Sequence, residues 1–239
     1  MSDIAKMNAA AAALEFVEDG MILGLGTGST ASHFVRMLGE RVREGLRVGG
    51  LPTSEATRRL ATQVGVPLIE IDQADRIDLT VDGADEIDPQ FRLIKGGGGA
   101  LLREKIIAHA SDQMVVIADS GKLVERLGAF PLPVEVTPFG FTITAKKVFD
   151  ALRDSGCEGA DVHLREAGAP GRPFLSDGGN YILDCACAVI PDPEGLAERL
   201  NRIPGVVENG LFLSFPRTVR TVIVSDGEAI QILEGAEGH

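Results

Sequence analysis

The sequence predicts an α/β protein: a parallel-sheet domain with helices on both faces, joined to a small α+β domain with an antiparallel sheet. Three observations carry that expectation. Short apolar runs alternate with helix-period segments over residues 1–130. Glycine-rich or hydroxyl-rich turns connect strand to helix within each early unit, as in parallel sheets. At Pro131-Leu132-Pro133 the rhythm changes to a β-α-β-β-α order, which fits a split β-α-β motif.

Residues 4–18 are predicted as a helix, because their alanine run has the highest helix propensity. Met21–Leu25 is a short apolar strand that runs into a glycine turn. Residues 30–43 then place Phe34, Val35 and Leu38 at helical spacing. A second unit follows, with Leu46–Leu51 as strand, Pro52–Ser54 as turn and Glu55–Val64 as a helix capped by Ser54. Pro67–Ile71, Ile77–Val81 and Gln113–Ala118 read as further strands, and Ala100–Ala110 as a helix. Beyond the prolines come a strand (Val134–Thr137), a helix (Thr144–Asp154) and a strand (Ala160–Arg165). A hairpin around Ser176–Gly179 leads into Tyr181–Ala188, followed by a helix (Pro193–Arg202). Gly210–Phe215, Thr221–Ser225 and Ala229–Leu233 are short strands that either complete the small domain or return to the first sheet.

Composition narrows the function. The chain has 239 residues, 44% hydrophobic and 24% charged, which suits a folded globular protein and not a disordered one. Its apolar runs fall well short of the ~20 residues of a membrane-spanning helix. Charged residues flank the early alanines, so no signal peptide is expected. The net charge of −12 contains no basic run, which argues against nucleic acid and anionic membranes as partners. An anionic substrate must then be held by a local constellation against the global field. Cys157, Cys185 and Cys187 are odd in number and read as buried thiols in a reducing compartment, so a cytoplasmic protein is the expectation. Glycine, 29 of 239 residues, is in excess and concentrates in a few loops.

The first such loop spans Gly24 to Ala31. Its glycines allow close backbone approach, the following helix offers free N–H groups, and Thr27, Ser29 and Thr30 add hydroxyls, a set that suits phosphate. It also meets the loose dinucleotide pattern G-x-G-x-x-A. The second strand, however, ends in Pro52-Thr53-Ser54 where a ribose-binding acid is wanted, with Glu55 the nearest substitute. A structural turn is the remaining alternative. The second segment, Asp82-Gly83-Ala84-Asp85-Glu86-Ile87-Asp88, follows an apolar strand. An EF-hand register from Asp78 fails because Pro89 stands at its twelfth position. Carboxylates at a parallel strand's end sit where open α/β sheets bind ligands and suit proton transfer; a solvated acidic turn is the plainer alternative. The third run, Lys95 through Gly96, Gly97, Gly98 and Gly99 to Lys105, brings a lysine and Glu104 toward one glycine-rich turn. Such a pair can supply an electrophile and a base, though Glu104 equally suits a surface ion pair. Lys122 follows another strand and suits a phosphate counter-ion. The four histidines share no metal-ligand spacing, and H-E-x-x-H, G-x-S-x-G and C-x-x-C are absent, so no metal site is expected.

With these residues in view, the sequence resembles the type A ribose-5-phosphate isomerase family. The resemblance rests on G-x-G-T-G-S-T (Gly24–Thr30), D-G-A-D-E (Asp82–Glu86), K-G-G-G (Lys95–Gly98) running into L-x-R-E-K (Leu101–Lys105), and F-P-L-P-V-E-V (Phe130–Val136). Weaker matches are Thr53-Ser54, Ile203–Val207 and Gly210–Phe212. The resemblance implies a Rossmann-like domain (residues 1–130 and 207–239) and a ferredoxin-like domain (131–206), with the last strands returning to the first. It implies an aldose–ketose isomerase of the non-oxidative pentose phosphate pathway, working without cofactor, in the cytoplasm, as a homodimer. By motif, Glu104 is the base, Asp82 and Asp85 assist ring opening and proton movement, and Lys95 stabilises the enediolate oxygen. Thr27, Gly28, Ser29, Thr30, Gly83, Ala84, Gly96, Gly97, Gly98 and Lys122 join Asp82, Asp85 and Lys95 as substrate contacts. Two departures stand out: Gly99 replaces the family's usual alanine and is expected to loosen the turn, and Leu213–Val219 replaces an Ala-Asp pair. The competing readings are a sugar-phosphate deaminase or acyl-transferase on a related fold, and a non-catalytic sugar-phosphate sensor.

Overall fold

A computed structural model describes residues 3–168, 170–213 and 219–234. In chain order these form α1 (Asp3–Ala13), β1 (Ile22–Leu25), α2 (Ser29–Arg43), β2 (Gly49–Pro52), α3 (Glu55–Val64) and β3 (Ile77–Asp82). Next come β4 (Glu86–Ile87), β5 (Leu93–Ile94), α4 (Leu101–Ala110), β6 (Ser111–Asp119), β7 (Leu132–Val136), α5 (Phe141–Asp154) and β8 (Asp161–Leu164). The chain ends with β9 (Tyr181–Ala186), α6 (Pro193–Asn201), β10 (Val206–Asn209), β11 (Leu211–Phe212), β12 (Val219–Ser225) and β13 (Ile230–Glu234). Two compact units result: one holds Met1–Ala84, Arg103–Lys122 and Phe215–His239, the other Asp85–Leu102 and Leu123–Ser214. Among the described residues no helix is long and apolar enough to cross a membrane.

The first unit is built on a six-stranded sheet in the order β13-β12-β6-β3-β1-β2, parallel except for the antiparallel edge strand β13. Its central strands bury apolar side chains although Asp78, Thr80 and Asp82 interrupt β3 and Ser111-Asp112-Gln113 opens β6. Leu23, Leu25, Leu79, Val81, Val115 and Ile117 are buried with Phe34, Val35 and Leu38 of α2. Helix α1 buries Ala5 and, from its alanine run, Ala9, Ala10 and Ala13, small side chains that let the helix lie close. Ser54 caps α3 by accepting from Thr57 N at 3.1 Å, and Gly65 closes that helix in the left-handed region. The expected strand Pro67–Ile71 is absent. Only Leu68 bridges to Gly50, Pro67 has no N–H to donate, and Ile71–Gln73 already turns as a 3-10 helix. The second strand starts at Gly49 instead of Leu46, because Leu46 N is held by Arg41 O at the end of α2.

The second unit contains a four-stranded antiparallel sheet, β10-β7-β9-β8, whose chain order β7-α5-β8-β9-α6-β10 is the split β-α-β pattern. Its core joins Val134, Val136, Val148, Leu152, Leu183, Leu196 and Leu200. Cys157, Cys185 and Cys187 are free and buried.

The boundaries differ from those expected at 130 and 207. Residues 85–102, 123–130 and 207–214 cluster with the second unit. The reason is a small sheet, β11-β5-β4, too short to be seen from residue pattern. Lys95 N donates to Gly210 O at 2.9 Å and Gly210 N to Pro133 O at 2.8 Å, which ties residue 210 to this unit. The buried Glu86 carboxylate accepts from Gly128 N at 2.7 Å and Phe130 N at 2.6 Å. Only β12 and β13 of the late strands join the first sheet. Of the strand expected over 210–215, Leu211–Phe212 forms, and residues 214 and 215 lie outside the described residues, as do His239 and most of the departing segment 213–219.

Glu86→Ala removes the acceptor for two backbone N–H groups and is expected to lower stability by roughly 2–4 kcal/mol. Urea midpoints at constant slope measure it. A change below about 0.5 kcal/mol would show that Glu86 does not brace this unit.

Candidate active site

In the first unit the strand order reverses at β1 and β3, and an open α/β sheet leaves its ligand crevice beyond the carboxyl ends of such strands. Gly26 and Asp82 occupy those ends. A Cβ on Gly26 would lie 2.3 Å from Asp82 Oδ1 and 2.6 Å from Asp82 Cα, so only glycine lets β1 leave the sheet along this path. Asp82 is fully buried, and its Oδ1 accepts from Thr27 N at 3.1 Å and Gly83 N at 2.7 Å. Gly28 takes a φ of +108° as the N-cap of α2, so the exposed Gly28 and Ser29 and the half-buried Thr30 lie at the helix's positive end.

The Thr27 hydroxyl points elsewhere. It lies 2.7 Å from Thr53 Oγ1 and donates to Ser54 Oγ at 2.8 Å, in a cluster that includes Thr57. Thr57 Oγ1 in turn donates to Gly26 O at 2.9 Å. The weakly matching Thr53-Ser54 pair is therefore the brace of the first glycine loop. A residue that sequence reasoning missed is Lys6 of α1, whose Nζ donates to Ser29 Oγ at 2.8 Å. Twenty-three residues separate the two, and no local pattern marks the pairing. Lys122 is half-buried in the 3-10 turn Ser120–Lys122 beyond the carboxyl end of β6, the neighbour of β3.

Glu104 lies in the first turn of α4 and is only 4% exposed. Ile107, three residues on and therefore on the same helix face, packs at Gly24 of β1, where a Cβ would stand 2.6 Å from Ile107 Cγ2 and 2.0 Å from Thr80 Oγ1. At the far end, Ser111 Oγ donates to Ile107 O at 2.7 Å and contacts Thr80 Oγ1 at 2.6 Å. Arg103 NH1 donates to Glu55 Oε1 at 2.8 Å, and that hydrogen bond holds the Glu55 carboxyl below its ordinary range. Glu55 is thus a partner of α4, which answers its candidacy as a ribose acid.

In the second unit the acidic segment divides its work. Asp85 N donates to Ile94 O at 2.8 Å, and Asp85 Oδ2 accepts from Gly97 N at 2.8 Å. Asp88 instead caps its own turn, accepting from Gln90 N and Arg92 N at 3.0 Å and from Arg92 Nε at 2.6 Å. Lys95 is 3% exposed, with Nζ 5.5 Å from the Phe212 ring centroid. After it, Gly99 N donates to Gly96 O at 2.9 Å, closing a turn. Gly99 has a φ of +81°, and a Cβ there would lie 2.4 Å from Phe174 Cζ. The expected loosening at Gly99 is thus replaced by a ring packed where an alanine methyl would stand. Among the described residues no His, Cys, Asp and Glu side chains group as metal ligands.

The chain passes from one unit to the other after Ala84, within the D-G-A-D-E run, after Leu102, within the L-x-R-E-K run, and after Lys122. Residues 49–228 match the family described as Ribose 5-phosphate isomerase A (phosphoriboisomerase A). A protein of that name from Maricaulis maris (strain MCS10) is 56% identical over 224 residues, 94% of this chain and 95% of its own. This chain belongs to the ribose 5-phosphate isomerase A family. The structure of ribose 5-phosphate isomerase A from Methanocaldococcus jannaschii superposes with a TM-score of 0.85 at 40% identity, covering 96% of this chain and 98% of that one. A D-ribose-5-phosphate isomerase in complex with phospho-erythronic acid superposes with a TM-score of 0.87 at 39% identity, covering 98% and 100%.

Gly99→Ala is expected to destabilise the protein by about 1 kcal/mol or more, from the left-handed φ and the displaced Phe174 ring. Thermal melts measure it. An unchanged or raised melting temperature would show that the ring yields without cost.

Proposed function

We propose that this chain interconverts D-ribose 5-phosphate and D-ribulose 5-phosphate through an enediolate, with Glu104 as the proton-transferring base. The observation that carries the reading is a buried glutamate fixed on the first turn of α4 in a chain of this family. Glu104 takes the proton from carbon 2 of the open-chain aldose. The electron pair moves through the new carbon–carbon double bond onto the carbonyl oxygen, which the Lys95 ammonium stabilises. The hydroxyl proton on oxygen 2 passes to oxygen 1, and Glu104 returns its proton to carbon 1, so atoms and charge balance without a cofactor. Asp82 and Asp85 assist ring opening and hydroxyl proton movement.

The phosphate is assigned to the N-terminus of α2, where Gly28, Ser29 and Thr30 offer backbone N–H groups and Lys6 adds a cation. Lys122 adds a second. Gly83, Ala84 and the Gly96–Gly98 backbone complete the substrate contacts. The ligand of the relative solved with phospho-erythronic acid supports a phosphorylated sugar as substrate. The free buried thiols suit a reducing compartment, and the cytoplasm is our reading. A homodimer is proposed from the frequency of two-fold assemblies and from Phe139 and Ile143, 94% and 69% exposed at the entrance to α5.

Glu104→Gln keeps the side chain's size but cannot accept the proton at neutral pH, so the folded variant is expected to lose ~10²–10⁴-fold in turnover. Ketose formation from ribose 5-phosphate measures it. Activity within about threefold of the parent would defeat the mechanism. Lys122→Met is expected to raise KM more than it lowers kcat, because the phosphate charge is the same in ground and transition states. A variant with KM unchanged and kcat reduced would instead place Lys122 in the chemistry. Light scattering is expected to give twice the 25.2 kDa chain mass, and a monomer at micromolar concentration would remove the dimer.

A further inference from the structure

Arg165, just past β8, takes part in none of the chemistry above, yet it holds the glycine loop by its backbone. Its NH1 donates to Gly96 O at 2.9 Å and to Gly97 O at 3.2 Å, although 69 and 68 residues separate the partners. The guanidinium is itself fixed. Nε donates to Asp184 Oδ2 at 2.9 Å and NH2 to Asp184 Oδ1 at 2.5 Å, a two-pronged pair from β9. Its carbon lies 5.7 Å from the centroid of Phe174, the ring that occupies the space beside Gly99. Phe174 N donates to Arg165 O at 2.8 Å, so ring and guanidinium belong to one folded segment.

The planar trans peptide converts these contacts into a statement about the loop's donors. In each peptide the N–H points opposite to the C=O. With the Gly96 carbonyl turned toward Arg165, the Gly97 N–H must point the other way, and there it meets Asp85 Oδ2 at 2.8 Å. With the Gly97 carbonyl also on Arg165, the Gly98 N–H is turned away from the guanidinium as well. Four consecutive glycines have the widest choice of peptide orientation of any sequence, so one orientation needs an external hold. Arginine suits the task because its fork can bind Asp184 and two carbonyls at once, which an ammonium cannot do in one plane.

We propose that Arg165 is a positioning residue for the isomerase reaction, holding the Gly96–Gly98 peptides so that their N–H groups face away from it and the loop after Lys95 has one shape. The proposal rests on the isomerase reading above for its kinetic consequence, but its structural consequence can be read separately. Small displacements of positioning groups cost up to about 10²-fold in rate.

The test compares the parent, Arg165→Met and Arg165→Lys in ribose 5-phosphate turnover and in backbone hydrogen exchange over residues 95–100. Arg165→Met is expected to stay folded, to lose 10–100-fold in kcat/KM and to exchange at least tenfold faster in that segment. Arg165→Lys, which can still hold one carbonyl, is expected to recover part of both. A folded Arg165→Met with the parent's rate, or with unchanged exchange in the loop, would overturn the proposal. Failure of both variants to fold would make Arg165 a purely structural residue and overturn it too. An inactive parent would defeat the isomerase reading instead, and the exchange rates would then judge Arg165 alone.

Discussion

The Asp82 carboxylate, accepting from Thr27 N and Gly83 N, is the contact on which the first unit's functional end depends. It joins the exits of β1 and β3, the two strands between which the sheet order reverses. Everything nearby follows from allowing that approach. Gly26 must lack a Cβ, Gly28 must turn with positive φ into α2, and the hydroxyls of Thr53, Ser54 and Thr57 must brace the loop from the β2 side. A buried polar oxygen is costly unless hydrogen bonds satisfy it, and Thr27 N and Gly83 N do so for Oδ1. One carboxylate thus acts as a structural acceptor and stands at the crevice where ligands of such sheets bind.

Two different devices hold the chemistry-bearing groups in place. Glu104 is mounted on a helix whose two sides are pinned, by Arg103 to Glu55 and by Ile107 and Ser111 to β1 and β3. A side chain mounted on such an element is held more precisely than one on a loop. The loop after Lys95 has no such frame. Asp85 and Arg165 hold it from outside through its peptide groups, and Phe174 packs beside Gly99 where a Cβ would stand. Glycine makes this possible, because bare peptides can be gripped closely, and it also makes the grip necessary.

What was legible in the sequence was local. The Ser54 cap and the span of α3 were readable because capping needs only neighbours three residues apart. The motifs around Gly26, Asp82 and Lys95 were readable because turns after apolar strands are where this chemistry sits. Strands β4 and β10 were not, since two to four residues become a strand only through a distant partner, Ile94 for Glu86 and Val136 for Val206. The same limit applies to the division into compact units, which follows the β11-β5-β4 pairing and Glu86. Glu86 and Asp88 read as part of one acidic site, yet both are spent on backbone N–H groups. The direction of the Thr27 hydroxyl and the Lys6–Ser29 contact are tertiary facts with no local signal.

A net charge of −12 opposes the approach of a dianionic substrate, but only over the range that salt leaves unscreened. At physiological ionic strength the Debye length is about 8 Å, so charges spread over the surface are largely screened at a given site. On the proposed assignment the phosphate meets its immediate surroundings at the start of α2: backbone N–H groups of the first turn, the positive end of a 15-residue helix and the Lys6 ammonium beside Ser29. Among the described residues, the first turn of α2 carries no acidic side chain to oppose them. The global acidity instead repels other anions only weakly and at long range. On the proposed assignment, selection is left to the few groups that can touch the phosphate, because their short-range geometry outweighs the screened net charge.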